Sequence, residues 1–211
     1  FKRSTFFSVP AGVLKLALGE KANLALWSQK VLPQQLNQSG FEFKFKKIED
    51  ALENLYSWKK RPSENLLHTF QWVRQPLDSV FQFFSDETNL EKLTPEFLAF
   101  KVLGKSSKKI AEGTLIDYKL RVHGIPMSWQ SRIESWNPPQ VFVDTQKKGP
   151  YKKWHHTHSF ESLRDGTLLE DRVIYELPGG RMGQWLGGPF VQKDVGEIFR
   201  YRTQKIRELF S

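Results

Sequence analysis

The sequence has no cysteine among its 211 residues, which excludes disulfides, thiolate metal sites and a cysteine nucleophile. That absence fits a reducing compartment, with the cytoplasm as the expected location. No stretch reaches about 18 uninterrupted apolar residues, so no membrane span is expected. The opening Phe1-Lys2-Arg3-Ser4 has no apolar signal-peptide core. Also missing are a Gly-x-Gly-x-x-Gly turn, a glycine-rich phosphate loop and a Gly-x-Ser-x-Gly elbow. Their absence removes the sequence signatures of dinucleotide binding, phosphate cradling and a serine triad.

What is present is enough apolar material for a packed core: 39% hydrophobic and 14% aromatic residues beside 26% charged ones. Thirty-two Lys and Arg against 23 Asp and Glu give a net charge of +9, which raises the question of nucleic acid. The excess is spread along the chain rather than concentrated. Its densest runs, Lys105 to Lys109 and Lys147 to Lys153, sit where loops between strands are expected. Solvated loop charge is therefore the preferred reading, and nucleic acid is not the expected partner.

A chain of 211 residues predicts two units. Pro10 opens a short helix through Leu18 with Gly19 as its stop. Asn23 to Val31 continues helical, Pro33 to Gln38 makes another turn, Phe41 to Phe45 alternates as a strand, and Ile48 to Tyr56 is again helical. Residues 1–57 hold too little core to stand alone, and with Phe rather than Met at the start the chain reads as a fragment of a longer protein. Residues 58–65, charged and containing Pro62, read as a linker.

Residues 66–211 form the second unit. A strand over 66–74 precedes a helix opened by Pro76 and a short helix near Leu90. Six strands follow, over 97–103, 113–123, 125–136, 141–147, 153–163 and 167–177, with connections short enough for an antiparallel meander. Gly179 to Gly183 and Gly187 to Pro189 read as a flexible connector. Asp194 then caps a long amphipathic helix to Phe210, with its Lys and Arg residues on the outer face. The fold class is thus α+β: a helix-grip, in which a curved antiparallel sheet wraps round a long C-terminal helix, preceded by a small, mainly helical N-terminal segment. Such a grip leaves a hollow suited to a small apolar ligand.

Strand alternation sorts the side chains of that hollow. Tyr118, Leu120, Met127 and Trp129 face inward from two strands. Trp154, His156, His158 and Phe160 share the inner face of a third, and Asp171 and Tyr175 that of a fourth. An Asp165-Gly166 hairpin places Asp171 opposite His158 or Phe160. A buried carboxylate requires a partner, and His158 can supply it. The pair has two readings. One is a satisfied core contact; the other is a polar end to the cavity, shared with His156 and Tyr118, that orients a ligand or moves a proton. His156 and His158 also have metal-ligand character, but the spacing offers no third ligand, so no metal is expected.

From Leu66 to Phe210, the stretches Gly113 to Tyr118, Ile133 to Pro139, Phe142-Val143-Asp144, Gly149-Pro150-Tyr151, Trp154 to Phe160 and Asp171-Arg172-Val173 resemble the SRPBCC superfamily, also called START-like or helix-grip. The likeness is to its bacterial ligand-binding and polyketide cyclase-like members. Val9-Pro10-Ala11, Leu16 to Glu20, Gln29 to Pro33 and Gly40 to Phe43 resemble the C-terminal domain of atypical short-chain dehydrogenase/reductase (SDR) proteins of the NAD-dependent epimerase type, often labelled cell-division inhibitors. The resemblance implies a parent protein in which a missing N-terminal SDR domain binds NAD(P), with no cofactor in this piece. It implies for the second unit either a small hydrophobic ligand or, alternatively, cyclase/dehydratase-like acid/base chemistry on a carbonyl substrate, with His158 and Asp171 catalytic. Tyr118, Leu120, Met127, Trp129, Trp154, His156, Phe160 and Tyr175 are the expected ligand-binding residues.

Overall fold

A computed structural model describes residues 10–26, 33–41, 43, 45–57 and 62–211. The backbone divides into two units, Phe1–Ala51 and Leu52–Ser211. In the first, Pro10 stands just outside helix α1 (Ala11–Leu18) with extended backbone, one step earlier than expected, and Gly19 ends it at φ 57°. Short helices α2 (Ala22–Leu26) and α3 (Gln34–Gln38) follow, and α4 (Ile48–Ser57) spans the division. The second half of the helix expected over 23–31 lies outside the described residues. So do Glu42 and Lys44 of the expected strand, whose Phe41, Phe43 and Phe45 belong to no regular element, and residues 58–61 of the expected linker.

The second unit is a seven-stranded antiparallel sheet in the order β1-β7-β6-β5-β4-β3-β2. Strand β1 (Glu64–Val73) leads through α5 (Leu77–Phe84) and α6 (Asn89–Lys92) to β2 (Lys101–Lys105) at the far edge. The meander β3 (Leu115–Val122), β4 (Ile125–Asn137), β5 (Val141–Lys148), β6 (Lys153–Leu163) and β7 (Gly166–Glu176) then returns to pair with β1. Strand β2 starts later than expected because Glu96–Leu98 form a single 3-10 turn behind Pro95, burying Leu98.

The β6–β7 hairpin differs from expectation by one residue, with a large consequence. Leu163 pairs with Gly166, so the two turn residues are Arg164, at φ 57°, and Asp165. Gly166 therefore opens the strand, and it lies so close to β1 that a Cβ there would collide with the Val73 carbonyl and stand 2.7 Å from the Trp72 ring. Moving the turn by one residue resolves the register: His158 faces Asp171 and Phe160 faces Leu169.

The C-terminal helix α7 runs from Gly180 to Leu209, 30 residues with Pro189 inside it. The expected connector is therefore helix, and Asp194 lies mid-helix rather than at a cap. Four glycines and a proline early in the helix argue against it on propensity alone, and tertiary contacts override that preference. Gly183 approaches the Pro178 carbonyl so closely that a Cβ would overlap it. Gln184 and Asn65 exchange two side-chain hydrogen bonds of 2.7 and 2.8 Å, tying the helix to β1. Three apolar clusters hold the unit: one under α5 around Phe81 and Phe160, one under α7 around Val173 and Phe199, and one on β3 and β4 around Ile116 and Ile133.

Two glycines of this unit have opposite expected responses to alanine. Gly166→Ala overpacks the β1–β7 contact and lowers stability by about 1–3 kcal/mol. Gly196→Ala, in α7 with open space around the added methyl, raises it by about 0.5–1 kcal/mol. Urea denaturation of the two variants checks both signs.

Candidate functional site

Between the concave face of the sheet and α7 lies a cavity of 690 Å³. Sheet curvature creates it, since one helix fills only part of the trough. Of the residues expected to line it, Tyr118, Leu120, Met127, Trp129, Trp154 and His156 do so, as does His158. Phe160 and Tyr175 do not. Phe160 is covered by α5, its ring 5.5 Å from Phe81 and 5.2 Å from Phe84, and Tyr175 is buried beneath α7 beside Val195 and Phe199. Facing inward on a strand is necessary for lining a hollow, but the covering helix decides whether any hollow remains there. At one margin His123, in the β3–β4 turn, donates from Nε2 to Asp194 Oδ2 of α7 at 2.9 Å.

The polar end of the cavity is built on three adjacent strands. Asp144 of β5 pairs in register with His156 of β6, and His158 with Asp171 of β7. Asp171 sits behind the histidines, away from the cavity wall, and collects donors. Its Oδ1 lies 2.9 Å from both His156 Nε2 and His158 Nδ1. Arg202 of α7 donates from Nε to Oδ2 at 3.1 Å and from Nη2 to Oδ1 at 3.3 Å. Arg202 Nη2 also approaches His158 Nδ1 at 3.2 Å, so that ring nitrogen lies between the guanidinium and the Asp171 carboxylate. On the cavity side, Asp144 Oδ2 is 3.0 Å from His158 Nε2 and 3.7 Å from His156 Nδ1. Its Oδ1 accepts from Ser131 Oγ at 3.4 Å, and Ser131 in turn accepts from Trp129 Nε1 at 3.0 Å.

Burial sets the charges. It disfavours every ion here, but neighbours outweigh it at three of the four central groups. Against burial, the Arg202 guanidinium and then the two histidine donors hold Asp171 well below the usual carboxylate range. The hydrogen bond from His158 likewise holds Asp144 low. Burial would lower His158, yet its bonds to Asp144 and Asp171 raise it above the usual value. For His156, burial and then the neighbouring His158 charge win, pushing it down to about 4. Burial, reinforced by the Asp144 charge, raises the Tyr118 phenol and keeps it protonated.

Asp144 and Arg202 were absent from the expected site. Asp144 alternates with Phe142 on the inner face of β5, a signal readable from spacing. Arg202 falls with Val195, Phe199 and Ile206 on the buried stripe of α7, although arginine on an amphipathic helix ordinarily reads as solvent-facing.

Over residues 73–199 the sequence matches the family described as polyketide cyclase/dehydrase and lipid transport. The chain belongs to that family. Solved structures similar to it include TTHA0849 of Thermus thermophilus, at 17% identity and a TM-score of 0.54, covering 70% of this chain and 100% of that one. Ginseng major latex-like protein 151 of Panax ginseng aligns at 10% identity and 0.52, over 70% and 98%. Both likenesses concern the helix-grip fold alone. Residues 9–55 match a separate family described as a domain of unknown function, DUF1731. There the chain is 48% identical over 50 residues to the chloroplastic epimerase family protein SDR39U1 homolog of Arabidopsis thaliana, and 41% identical over 49 residues to the epimerase family protein SAR0825 of Staphylococcus aureus. Those segments are 24% and 23% of this chain but span only 14% and 16% of the two relatives. Among the described residues no helix is long and apolar enough to cross a membrane.

In this polyketide cyclase-family unit the ion pair between α7 and β7 is open to a direct test. Arg202→Met strands a buried carboxylate and costs about 3–5 kcal/mol. Adding Asp171→Asn removes the stranded charge and recovers part of that loss. A double-mutant cycle by chemical denaturation measures the coupling; strictly additive effects are incompatible with the described contact.

Proposed function

We propose that the helix-grip unit binds one small hydrophobic molecule, with its apolar body among Leu120, Met127, Trp129 and Trp154 and an oxygen atom at the Asp144–His156–His158 end. The observation that carries this reading is the 690 Å³ cavity, walled mainly by aliphatic and aromatic side chains, with Asp144, His156 and His158 as its buried polar group and a few further polar residues, among them Glu87, Asn89, His123 and Asp194, elsewhere on its lining. That volume lies within the usual range for small-molecule sites, and a few convergent polar groups in an apolar pocket fix orientation rather than supply the bulk of affinity. A family named for both cyclases and lipid transport accommodates such a carrier or sensor.

A second reading is favoured by one observation: His158 is held between two carboxylates at 2.9 and 3.0 Å and faces the cavity. An imidazolium so placed can donate a proton to a carbonyl oxygen and recover it, which is the acid half of a cyclase- or dehydratase-like reaction. Asp171 then acts as a positioning residue, and Asp171→Asn retains ligand but loses turnover; equal turnover rules this reading out.

Residues 1–57 we read as the C-terminal segment of an epimerase-like SDR protein, with a linker, expected over 58–65, that ends at residue 63 because β1 already starts at Glu64, and the remainder as the ligand-binding unit. The match of residues 9–55 and the named epimerase relatives support it. NAD(P) then belongs to the preceding part of the parent protein.

Native mass spectrometry of the purified chain against its denatured mass tests retention of a ligand, and the fluorescence of the neutral dye Nile red tests the cavity. Leu120→Arg places a charge among apolar walls and is expected to weaken dye binding at least about tenfold with an unchanged far-ultraviolet circular dichroism spectrum. Unchanged dye affinity in a folded variant overturns the cavity assignment.

A further inference from the structure

We infer that Asp144, His156 and His158 form a binding site for one divalent transition-metal ion, with its remaining coordination positions open to the cavity. Among the described residues these three are the group whose ligand atoms gather closely enough, all lying within 4.8 Å of one another. Spacing along the sequence offers two histidines and no third ligand. The third comes from the neighbouring strand, where Asp144 pairs in register with His156.

Three features argue for a metal set rather than a polar core contact. The first is the direction of the imidazoles. Asp171 Oδ1 lies 2.9 Å from both His156 Nε2 and His158 Nδ1 and accepts a hydrogen bond from His156 Nε2, so each ring points one nitrogen at the same carboxylate and turns its other nitrogen the opposite way. Those other nitrogens, His156 Nδ1 and His158 Nε2, are the ones that converge on Asp144 Oδ2, at 3.7 and 3.0 Å. A carboxylate behind a histidine that fixes the tautomer and aims the free nitrogen is the usual outer arrangement of metal-ligating imidazoles. Here one carboxylate serves two of them, and Arg202 keeps it ionised from behind.

The second feature is spacing. Ligands about 2.1 Å from a common ion at angles of about 90–110° stand about 3.0–3.4 Å apart. The two separations to Asp144, 3.0 and 3.7 Å, reach that range with side-chain shifts of a few tenths of an ångström, and the two imidazole nitrogens, within 4.8 Å of each other, turn toward each other on binding to complete the set. The third is access. All three ligands line the cavity, while Asp144's second oxygen is steadied by Ser131. An ion held by three protein ligands on one side and facing a cavity on the other has the open-position layout of catalytic rather than structural metal sites. Two imidazoles and one carboxylate select zinc, iron(II), cobalt(II) or nickel(II) over calcium and magnesium, which prefer all-oxygen sets.

On binding, the ion takes the place between Asp144 and His158 that a proton holds in the metal-free protein. The site does not depend on which molecule fills the apolar part, so its failure and that of the ligand-binding reading are separable. The test uses the tag-free chain, stripped with a chelator and titrated with cobalt(II) and zinc. One equivalent is expected, with cobalt d–d bands of imidazole ligation and loss of the signal on zinc competition. Asp144→Asn is expected to weaken cobalt affinity at least about tenfold by removing a ligand, and Asp171→Asn about 10- to 100-fold by freeing the ring orientations. Leu120→Arg, which disturbs only the apolar wall, leaves stoichiometry at one while losing the dye. No cobalt uptake by the folded protein overturns the inference. So does uptake that Asp144→Asn leaves unchanged, which places the ion at another histidine.

Discussion

The buried contact between Asp171 of β7 and Arg202 of α7 constrains the ligand-binding unit more than any apolar cluster does. Apolar packing tolerates small sliding of a helix over a sheet, whereas an ion pair 6 to 8% exposed tolerates almost none, because separated partners meet no water. Arg202 therefore fixes the rotation and height of a 30-residue helix, while Gln184 and Asn65 fix its other half against β1. With the helix held at two points, the space between it and the remaining strands is determined. The cavity is what the helix cannot reach. Asp171 also receives both histidines, so one carboxylate sets the helix position and the direction of the imidazoles together. A substitution there disturbs architecture and site at once, which makes double-variant comparisons more informative than single ones.

The walls follow a division along the trough. Where α5 crosses the sheet, Phe81, Phe142 and Phe160 pack edge-on at 5.5 to 6.1 Å or in offset stacks, so Phe81 and Phe160 are closed off and only Phe142 and the α5 residues Phe83 and Phe84 reach the hollow. Where only α7 passes, Trp129, Tyr151 and Trp154 contact one another at 4.8 to 5.7 Å and leave their remaining faces to the hollow. His158 marks the boundary. Its ring stacks on Phe142 at 4.1 Å, joining the polar cluster to the filled part of the core.

Much of this is legible in the chain itself, because an antiparallel meander encodes its faces in alternation and its joints in turn residues. The inner positions of β3, β4 and β6 follow from period-two patterning alone. Two kinds of information are not local. The covering helices decide that Phe160 and Tyr175 are core and not wall, and nothing in the strand pattern carries that. The use of Arg164-Asp165 rather than Asp165-Gly166 as the turn leaves Gly166 pressed against β1, a strand that lies far earlier in the sequence. The early turns of α7 mislead for a related reason: glycines that permit close approach to Pro178 resemble glycines that permit flexibility. Arg202 is hidden because a cation on an amphipathic helix is normally at the surface, and only its placement on the same stripe as Val195, Phe199 and Ile206 betrays it.

Charge accounting at the polar end narrows what the cavity can hold. Neighbouring donors hold the Asp144 and Asp171 carboxyls low, and those carboxylates raise His158 while burial lowers His156. An anionic ligand group brought against two buried carboxylates is repelled, and the favoured partner is a neutral oxygen, such as a carbonyl or hydroxyl, that accepts from or donates to the cluster. With a divalent ion in place of the shared proton, both histidines are neutral and the set carries one net positive charge. The favoured partner is then an anionic oxygen: a carboxylate, an enolate or a phenolate. The same apolar walls thus select different head groups according to what sits between Asp144 and His158. Ligand charge becomes a reporter of the state of the site, independent of how well the apolar body fits.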